Sequence, residues 1–353
     1  MAEHNKDILI LGAGLCGLTL AYRLQQAGKA VRVLEARQRI GGRMETIAAK
    51  DGTPIEMGAT WLGEKHTALT ALLDELNIGI TEQYLSDRAI YEPLSTSPPQ
   101  LVQLPANDAP SYRIDGGSSR LINELASRLA PATVLCGQKA HTIEFPASGV
   151  VVKTETEEFT ADVVVSTLPP QLLVQSIAMV PELPEELTSL AMHTQTWMGQ
   201  SIKFGFSFSE PFWRSPRLSG TLFSNVGPVN EMYDHSRDGD GYYGLKGFLS
   251  GAYASVDQEG RKAVILQQLR KYYGAAIDQY TDYQDRVWPT EAETFLNSGI
   301  GLLPHQNNGH AQYRQLFAGD RLFIAGSETA DQFPGYMDGA VRSATWVFDQ
   351  LRQ

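Results

Sequence analysis

Three glycines and one acid carry the first legible chemistry in this chain. Gly12, Gly14 and Gly17 stand in the spacing G-x-G-x-x-G, and Glu35 follows one predicted helix and strand later. Gly12 permits a tight turn, Gly14 lets backbone come close to a pyrophosphate, and Gly17 lets a helix sit tightly on the strand before it. A helix N-terminus in that place offers unpaired N–H groups and a partial positive charge to phosphates. An acid at the position of Glu35 accepts hydrogen bonds from the two hydroxyls of a ribose. The bland alternative is a glycine-rich structural turn.

The surrounding elements favour a dinucleotide site. Residues 8–11 form a short continuous apolar run, the pattern of a strand buried on both faces. Leu18, Ala21 and Leu24 then recur at helical spacing until Gly28 stops the helix. Val31, Val33 and Leu34 make a second strand that ends on Glu35.

Bulk properties narrow the class. A chain of 353 residues with 42% hydrophobic and 20% charged residues can bury a large core in two lobes. A formal net charge of −11 argues against nucleic acid as a partner. The two cysteines, Cys16 and Cys136, have no metal-site spacing, so no metal is expected, and they fit a reducing, cytoplasmic setting. The N-terminal segment is too polar for a signal peptide, and no apolar run is long enough for a membrane span.

Further motifs decide between dinucleotides. Glu35-Ala36-Arg37 leads into Gly41-Gly42-Arg43, and Gly58-Ala59-Thr60-Trp61 follows. Residues 161–167 read as a buried strand closed by prolines. Far downstream come Gly326-Ser327-Glu328-Thr329-Ala330 and Pro334-Gly335-Tyr336-Met337-Asp338-Gly339-Ala340. These segments resemble the flavin-dependent amine oxidase family, with this chain a shortened member.

The resemblance implies an α/β fold. A Rossmann-like, glutathione-reductase-type FAD-binding domain, discontinuous in sequence, would use residues 1–85, 113–180 and 298–353. A smaller α+β substrate domain on an antiparallel sheet would use 86–112 and 181–297. FAD would be held by Gly12, Gly14, Leu15, Cys16, Gly17, Glu35, Ala36, Arg37, Gly42, Arg43, Gly58, Ala59, Thr60, Trp61, Ala140, Gly326, Ser327, Glu328, Tyr336 and Met337. Within that set, Arg37 and Arg43 would approach the pyrophosphate and flavin, and Glu328 would bond the ribityl chain. The Met337 N–H would meet the flavin C2 carbonyl. For both arginines the bland reading is a solvated surface.

Catalytic roles by the same likeness fall on Lys203, Tyr336 and Trp288. Ile202, Phe204, Phe206 and Phe208 alternate with Lys203, Gly205 and Ser207, a period-two strand. Read alone, Lys203 is an outward-facing strand lysine; by the resemblance it faces the flavin N5 through a water. Tyr336 would be one wall of an aromatic pair that orients an amine, and Trp288 would lie near the flavin, or simply in the core.

Three departures qualify the likeness. Residues 297–301 hold no cysteine, so FAD would be non-covalent. They hold no tyrosine either, which leaves the aromatic pair incomplete. Between Trp61 and Asp115 a helical lobe is largely missing, and prolines at 93, 98, 99, 105 and 110 predict a connector or cleft rim. The activity implied is oxidation of a C–H bond beside an amine nitrogen, with hydride passing to flavin N5 and oxygen giving hydrogen peroxide. The alternatives are a desaturase or dehydrogenase acting on a non-amine substrate, or a non-catalytic flavin-binding partner. The expected partners are a small amine and oxygen; oligomeric state is not encoded in any motif.

Overall fold

The structure is a computed structural model that describes residues 7–296 and 299–352. The polar N-terminal segment read above, apart from Asp7, and Asn297 and Ser298 of the cysteine-free stretch lie outside the described residues.

Ile8–Leu11 forms the predicted strand and is buried along its whole length. It lies inside a six-stranded sheet ordered Val134–Cys136, Val31–Glu35, Ile8–Leu11, Val163–Ser166, Leu322–Ile324, Leu316–Phe317. The first five strands run parallel and the last antiparallel. Alternate side chains point to opposite faces, so one sheet feeds two cores. Ile8, Ile10, Val163 and Val165 meet the helices Leu15–Gln26 and Met337–Leu351. Leu9, Leu11, Val164 and Ile324 meet Ile143, Val150 and Val152 of a four-stranded sheet on the other face. Both faces are covered, which is why these strands read as unbroken apolar runs. Leu18, Leu20 and Leu24 are fully buried, and each contributes roughly 1.5–3 kcal/mol.

A seven-stranded sheet stands beside this layer. Its order is Asp282–Val287, Ile202–Phe208, Tyr243–Leu249, Val229–Asp234, Leu222–Ser224, Arg88–Glu92, Gln100–Gln103. All neighbours are antiparallel except Leu222–Ser224 with Arg88–Glu92. Ile202, Phe204, Phe206 and Phe208 pack with Ile265 and Leu269 of the helix Gln258–Tyr273. That helix starts where Asp257 accepts the Gly260 N–H at 2.8 Å, a side-chain cap.

Three expectations change. The outward reading of Lys203 fails: all seven residues of Ile202–Phe208 are buried. The opposite face of the strand is covered as well, and a Cβ on Gly205 would lie 2.3 Å from Ile55 Cγ2. The proline-rich stretch is more than a connector. It forms the edge hairpin Arg88–Glu92 and Gln100–Gln103, with every proline outside the strands, where no ladder N–H is lost. Residues 134–143 also read as one strand from their sequence; the chain breaks at Gly137, φ +74°, and the halves Val134–Cys136 and Ala140–Glu144 join different sheets. Among the described residues, no helix is long and apolar enough to cross a membrane.

Candidate active site

A cavity of about 500 Å³ lies between the carboxyl ends of the parallel strands and one face of the seven-stranded sheet. Open α/β sheets place ligands at such strand ends.

The wall on the parallel-sheet side is mostly backbone. Gly12, φ +101°, turns the chain out of the first strand. The helix Leu15–Gln26 begins at Gly14, which supplies no capping side chain, so its first-turn N–H groups are left for an anion. A Cβ on Gly42 would lie 3.4 Å from the Gly14 Cα, so the two loops meet closely without side chains. Glu35 closes this wall; its carboxylate accepts the N–H of Ala13 at 2.9 Å and of Arg37 at 3.0 Å. The helix Met337–Leu351 also opens on the cavity, again without a side-chain cap. These features fit a dinucleotide: two bare helix N-termini, close glycine backbone and one ribose-type acceptor.

Most residues named from the sequence reach this cavity. Gly12, Gly14, Leu15, Cys16, Glu35, Ala36, Arg37, Gly42, Arg43, Gly58, Ala59, Thr60, Trp61, Ala140, Lys203, Trp288, Gly326, Ser327, Tyr336 and Met337 all line it. Burial pushes the Cys16 thiol up to about 12, which leaves it an inert small packing group. Trp288 is buried and donates its indole N–H to the Met57 carbonyl at 2.8 Å.

Two named residues stand elsewhere. Gly17 does not line the cavity; a Cβ there would lie 2.0 Å from the Gly12 carbonyl oxygen, so its role is contact between helix and strand. Glu328 lies behind the lining residues and supports Arg43. Its carboxylate is fully buried and takes bonds from Arg43 Nη1 at 2.6 Å, Arg43 Nη2 at 2.8 Å and Ser327 Oγ at 2.8 Å. An unpaired buried carboxylate is costly, and Arg43 and Ser327 pair this one. Arg43 and Ser327 stand in front of it. Arg37 is likewise engaged, by Glu291 at 3.2 Å and by Thr294.

The opposite wall is made of side chains on one sheet face. In register, Glu231 lies opposite Phe248, and Phe248 opposite Lys203, across three adjacent strands. Tyr233 and Lys246 form the next row. Lys203 Nζ donates to the Gly58 carbonyl and lies 5.0 Å from the Phe248 ring. Burial pulls this ammonium down to about 8. Trp61 packs edge-on to Tyr233, with centroids 5.2 Å apart. Burial, then the Glu231 charge, push the Tyr233 phenol up.

The sequence reading missed Glu231, Phe248, Lys246, Trp197 and His305. Tyr336 does not stand alone: it stacks on His305 at 5.8 Å, which stacks on Trp197 at 3.8 Å. Trp197 lines the cavity, so a second ring comes from a stretch where none was sought. For Glu231 and Lys246 a signal existed, the two-residue spacing to Tyr233 and Phe248 on their strands. Only the cross-strand register makes it meaningful.

Comparison with known proteins adds to this geometry. A model of the family described as flavin containing amine oxidoreductase matches residues 15–96 and 94–347. Putrescine oxidase of Kocuria rosea is 25% identical, with 96% of this chain and 93% of that protein covered. That alignment runs over 455 positions, more than this chain has, so the relative carries segments with no counterpart here. The flavin-containing amine oxidase A of Equus caballus is 22% identical over 97% of this chain and 84% of its own. Among solved structures, a putrescine oxidase double mutant superposes with a TM-score of 0.83 at 23% identity, covering 98% of both chains. Cyclohexylamine oxidase from Brevibacterium oxydans gives 0.83 at 19% identity, covering 99% of both.

Proposed function

This chain belongs to the flavin containing amine oxidoreductase family, and we propose that it oxidises an amine bearing a second cationic group, a diamine or polyamine. It is an FAD-dependent oxidoreductase; when bound, FAD supplies the two-electron acceptor for the C–H bond beside the nitrogen. Oxygen is the proposed final acceptor, FAD is proposed to be held non-covalently, and the proposed setting is the cytoplasm. Neither the family match nor the relatives favour the desaturase, dehydrogenase or non-catalytic alternatives. The proposed FAD-binding lobe comprises 1–85, 113–180 and 298–353, and the substrate lobe 86–112 and 181–297.

One observation carries the substrate class: the row Lys203–Phe248–Glu231 on the cavity wall. Adjacent strands lie about 4.8 Å apart, so Glu231 stands roughly 10 Å from Lys203. Glu231 forms no ion pair among the described residues, and Trp61 and Phe248 line the cavity with it. A carboxylate among aromatic rings suits an alkylammonium, which gains both charge pairing and ring attraction. Glu35 and Glu293, the other acids lining the cavity, lie toward the glycine-built wall or are occupied by backbone and Lys139. In this reading Glu231 anchors the distal ammonium, and Phe248 and Trp61 keep the alkyl chain dry. Tyr336 and Trp197 align the reacting nitrogen. Gly14, Leu15, Glu35, Ala140, Ser327 and Met337 hold the dinucleotide.

The test is anaerobic bleaching of the yellow protein by matched monoamines, diamines and polyamines. Diamines are expected to bleach it at the lowest concentrations, with peroxide formed on admitting air. Glu231→Gln should raise the diamine KM about 10- to 100-fold, the loss of a charge-assisted hydrogen bond, while monoamine KM stays constant. Equal KM changes for both classes would remove Glu231 from recognition.

A further inference from the structure

The wall that is to receive a cation already holds two buried lysines. Lys203 and Lys246 lie on neighbouring antiparallel strands, where Lys203 pairs with Phe248 and Lys246 with Gly205. They therefore share a sheet face as diagonal neighbours, within reach of long side chains. Lys203 is 5% exposed and Lys246 is fully buried. Their oxygen acceptors are neutral, the Gly58 carbonyl for Lys203 and the Thr60 hydroxyl for Lys246, and the two lysines also bond each other. Lys246 Nζ sits 4.4 Å from the Trp61 ring. Among the described residues neither ammonium has an ion-pair partner.

The charged surroundings supply two carboxylates, Glu231 and Glu56, against three cations once Arg113 is counted with the two lysines. Glu231 and Tyr233 face the pair from the next strand, Glu56 from the strand Pro54–Glu56, and Arg113 and His235 from the far side. Glu56 is bonded to the Ser118 hydroxyl at 2.6 Å and to Thr46 at 2.8 Å, and Arg113 adds a further positive charge beside His235 at 2.9 Å. Arg286, opposite Lys203 in register, is bound to Glu45 at 2.6 Å. Two full positive charges here would repel each other and any incoming cation in a poorly hydrated site.

Resting on the amine-oxidation reading, we propose that Lys203 and Lys246 act as one unit holding a single proton. Lys203 is the member that exchanges protons with the bound amine, and Lys246 is the positioning residue behind it. In the exchange an N–H bond of the arriving alkylammonium breaks and a new N–H bond forms on a vacant lysine lone pair. The substrate nitrogen keeps its electron pair next to the C–H bond to be oxidised, and no electron is transferred in this step. Burial is the first cause that lowers both groups, Lys203 to about 8 and Lys246 well below its ordinary value, with the Lys203 charge acting on Lys246. The last proton therefore leaves the unit as pH rises through about 8, and the accepting state grows above that value.

The experiment is an NMR titration of FAD-loaded protein carrying 13Cε-labelled lysine, in the wild type, Lys246→Met and Lys203→Met. In Lys246→Met, Lys203 loses the lone pair that accepts from its ammonium, and its midpoint should fall by about one pH unit, tenfold in proton affinity. In Lys203→Met, Lys246 is relieved of a like charge and its midpoint should rise. With 1,4-diaminobutane as donor, the pH limb of anaerobic flavin reduction in Lys246→Met should move down with the NMR midpoint. Midpoints indifferent to the partner's loss, or a wild-type pair titrating with ordinary lysines, would overturn the proposal; so would a limb that stays in place. If Lys246→Met does not fold, the Lys203→Met midpoint decides the coupling. Failure of every amine to bleach the protein would refute the amine reading, while the NMR coupling would still be read independently.

Discussion

The two walls of the cavity are built by opposite means. The glycine wall binds through backbone: helix N-termini, a positive-φ turn and loops that meet at Gly14 and Gly42. The sheet wall works through side chains, Glu231, Phe248 and Lys203, brought together from three strands, with Lys246 buried behind them. Backbone recognition is unforgiving of added atoms and indifferent to most other changes. Side-chain recognition tolerates substitution and changes what is recognised.

That contrast can be broken most severely at Gly17. Gly17→Val places a Cβ 2.0 Å from the Gly12 carbonyl oxygen, and the protein should lose both its flavin absorbance and its cooperative melt. A yellow, folded Gly17→Val protein would show that close helix–strand contact is dispensable. Next is the support behind the glycine wall. Glu328→Ala strands Arg43 and should cost about 3–5 kcal/mol in denaturant unfolding. Burial works to raise the Glu328 carboxyl, but the Arg43 charge and the bonds from Arg43 and Ser327 hold it below the usual carboxylate range. A depressed folded value means that this stabilisation is complete above the ordinary range and lost as pH falls through the folded value. The gap between wild type and Glu328→Gln should therefore close in acid, and a gap constant with pH would assign the effect to packing. On the sheet wall, Glu231→Gln should raise diamine KM and leave monoamine KM in place. The smallest effect belongs to Tyr336→Ala: this ring is 40% exposed, and loss of its stacking on His305 should cost about 1 kcal/mol.

What was legible in the sequence follows the same division. The first strand, its helix and Glu35 were readable because glycine spacing and apolar periodicity are local properties. Gly326 and Met337 were placed by the resemblance of their motifs, and both line the cavity. Lys203 was placed by resemblance, since its alternation alone pointed it outward; the covering of that face by Ile55 is a contact between distant segments. Glu231 and Lys246 were hidden because their meaning depends on which strands are neighbours and in what register. The pairing of Glu328 with Arg43 was hidden as well, because motif position does not reveal a contact between segments so far apart in sequence.

The order of segments in the parallel sheet has a consequence for how the protein is made. Val163–Ser166 pairs with Leu322–Ile324, and the first helix packs against Met337–Leu351, so the nucleotide wall joins the earliest residues to very late ones. During synthesis the glycine turn and Glu35 emerge early but wait for most of the chain. The seven-stranded sheet, whose last strand is Asp282–Val287, can assemble first. The cavity wall that includes Gly326, Ser327 and Met337 is therefore complete only after the strand Leu322–Ile324 and the helix Met337–Leu351 have been made.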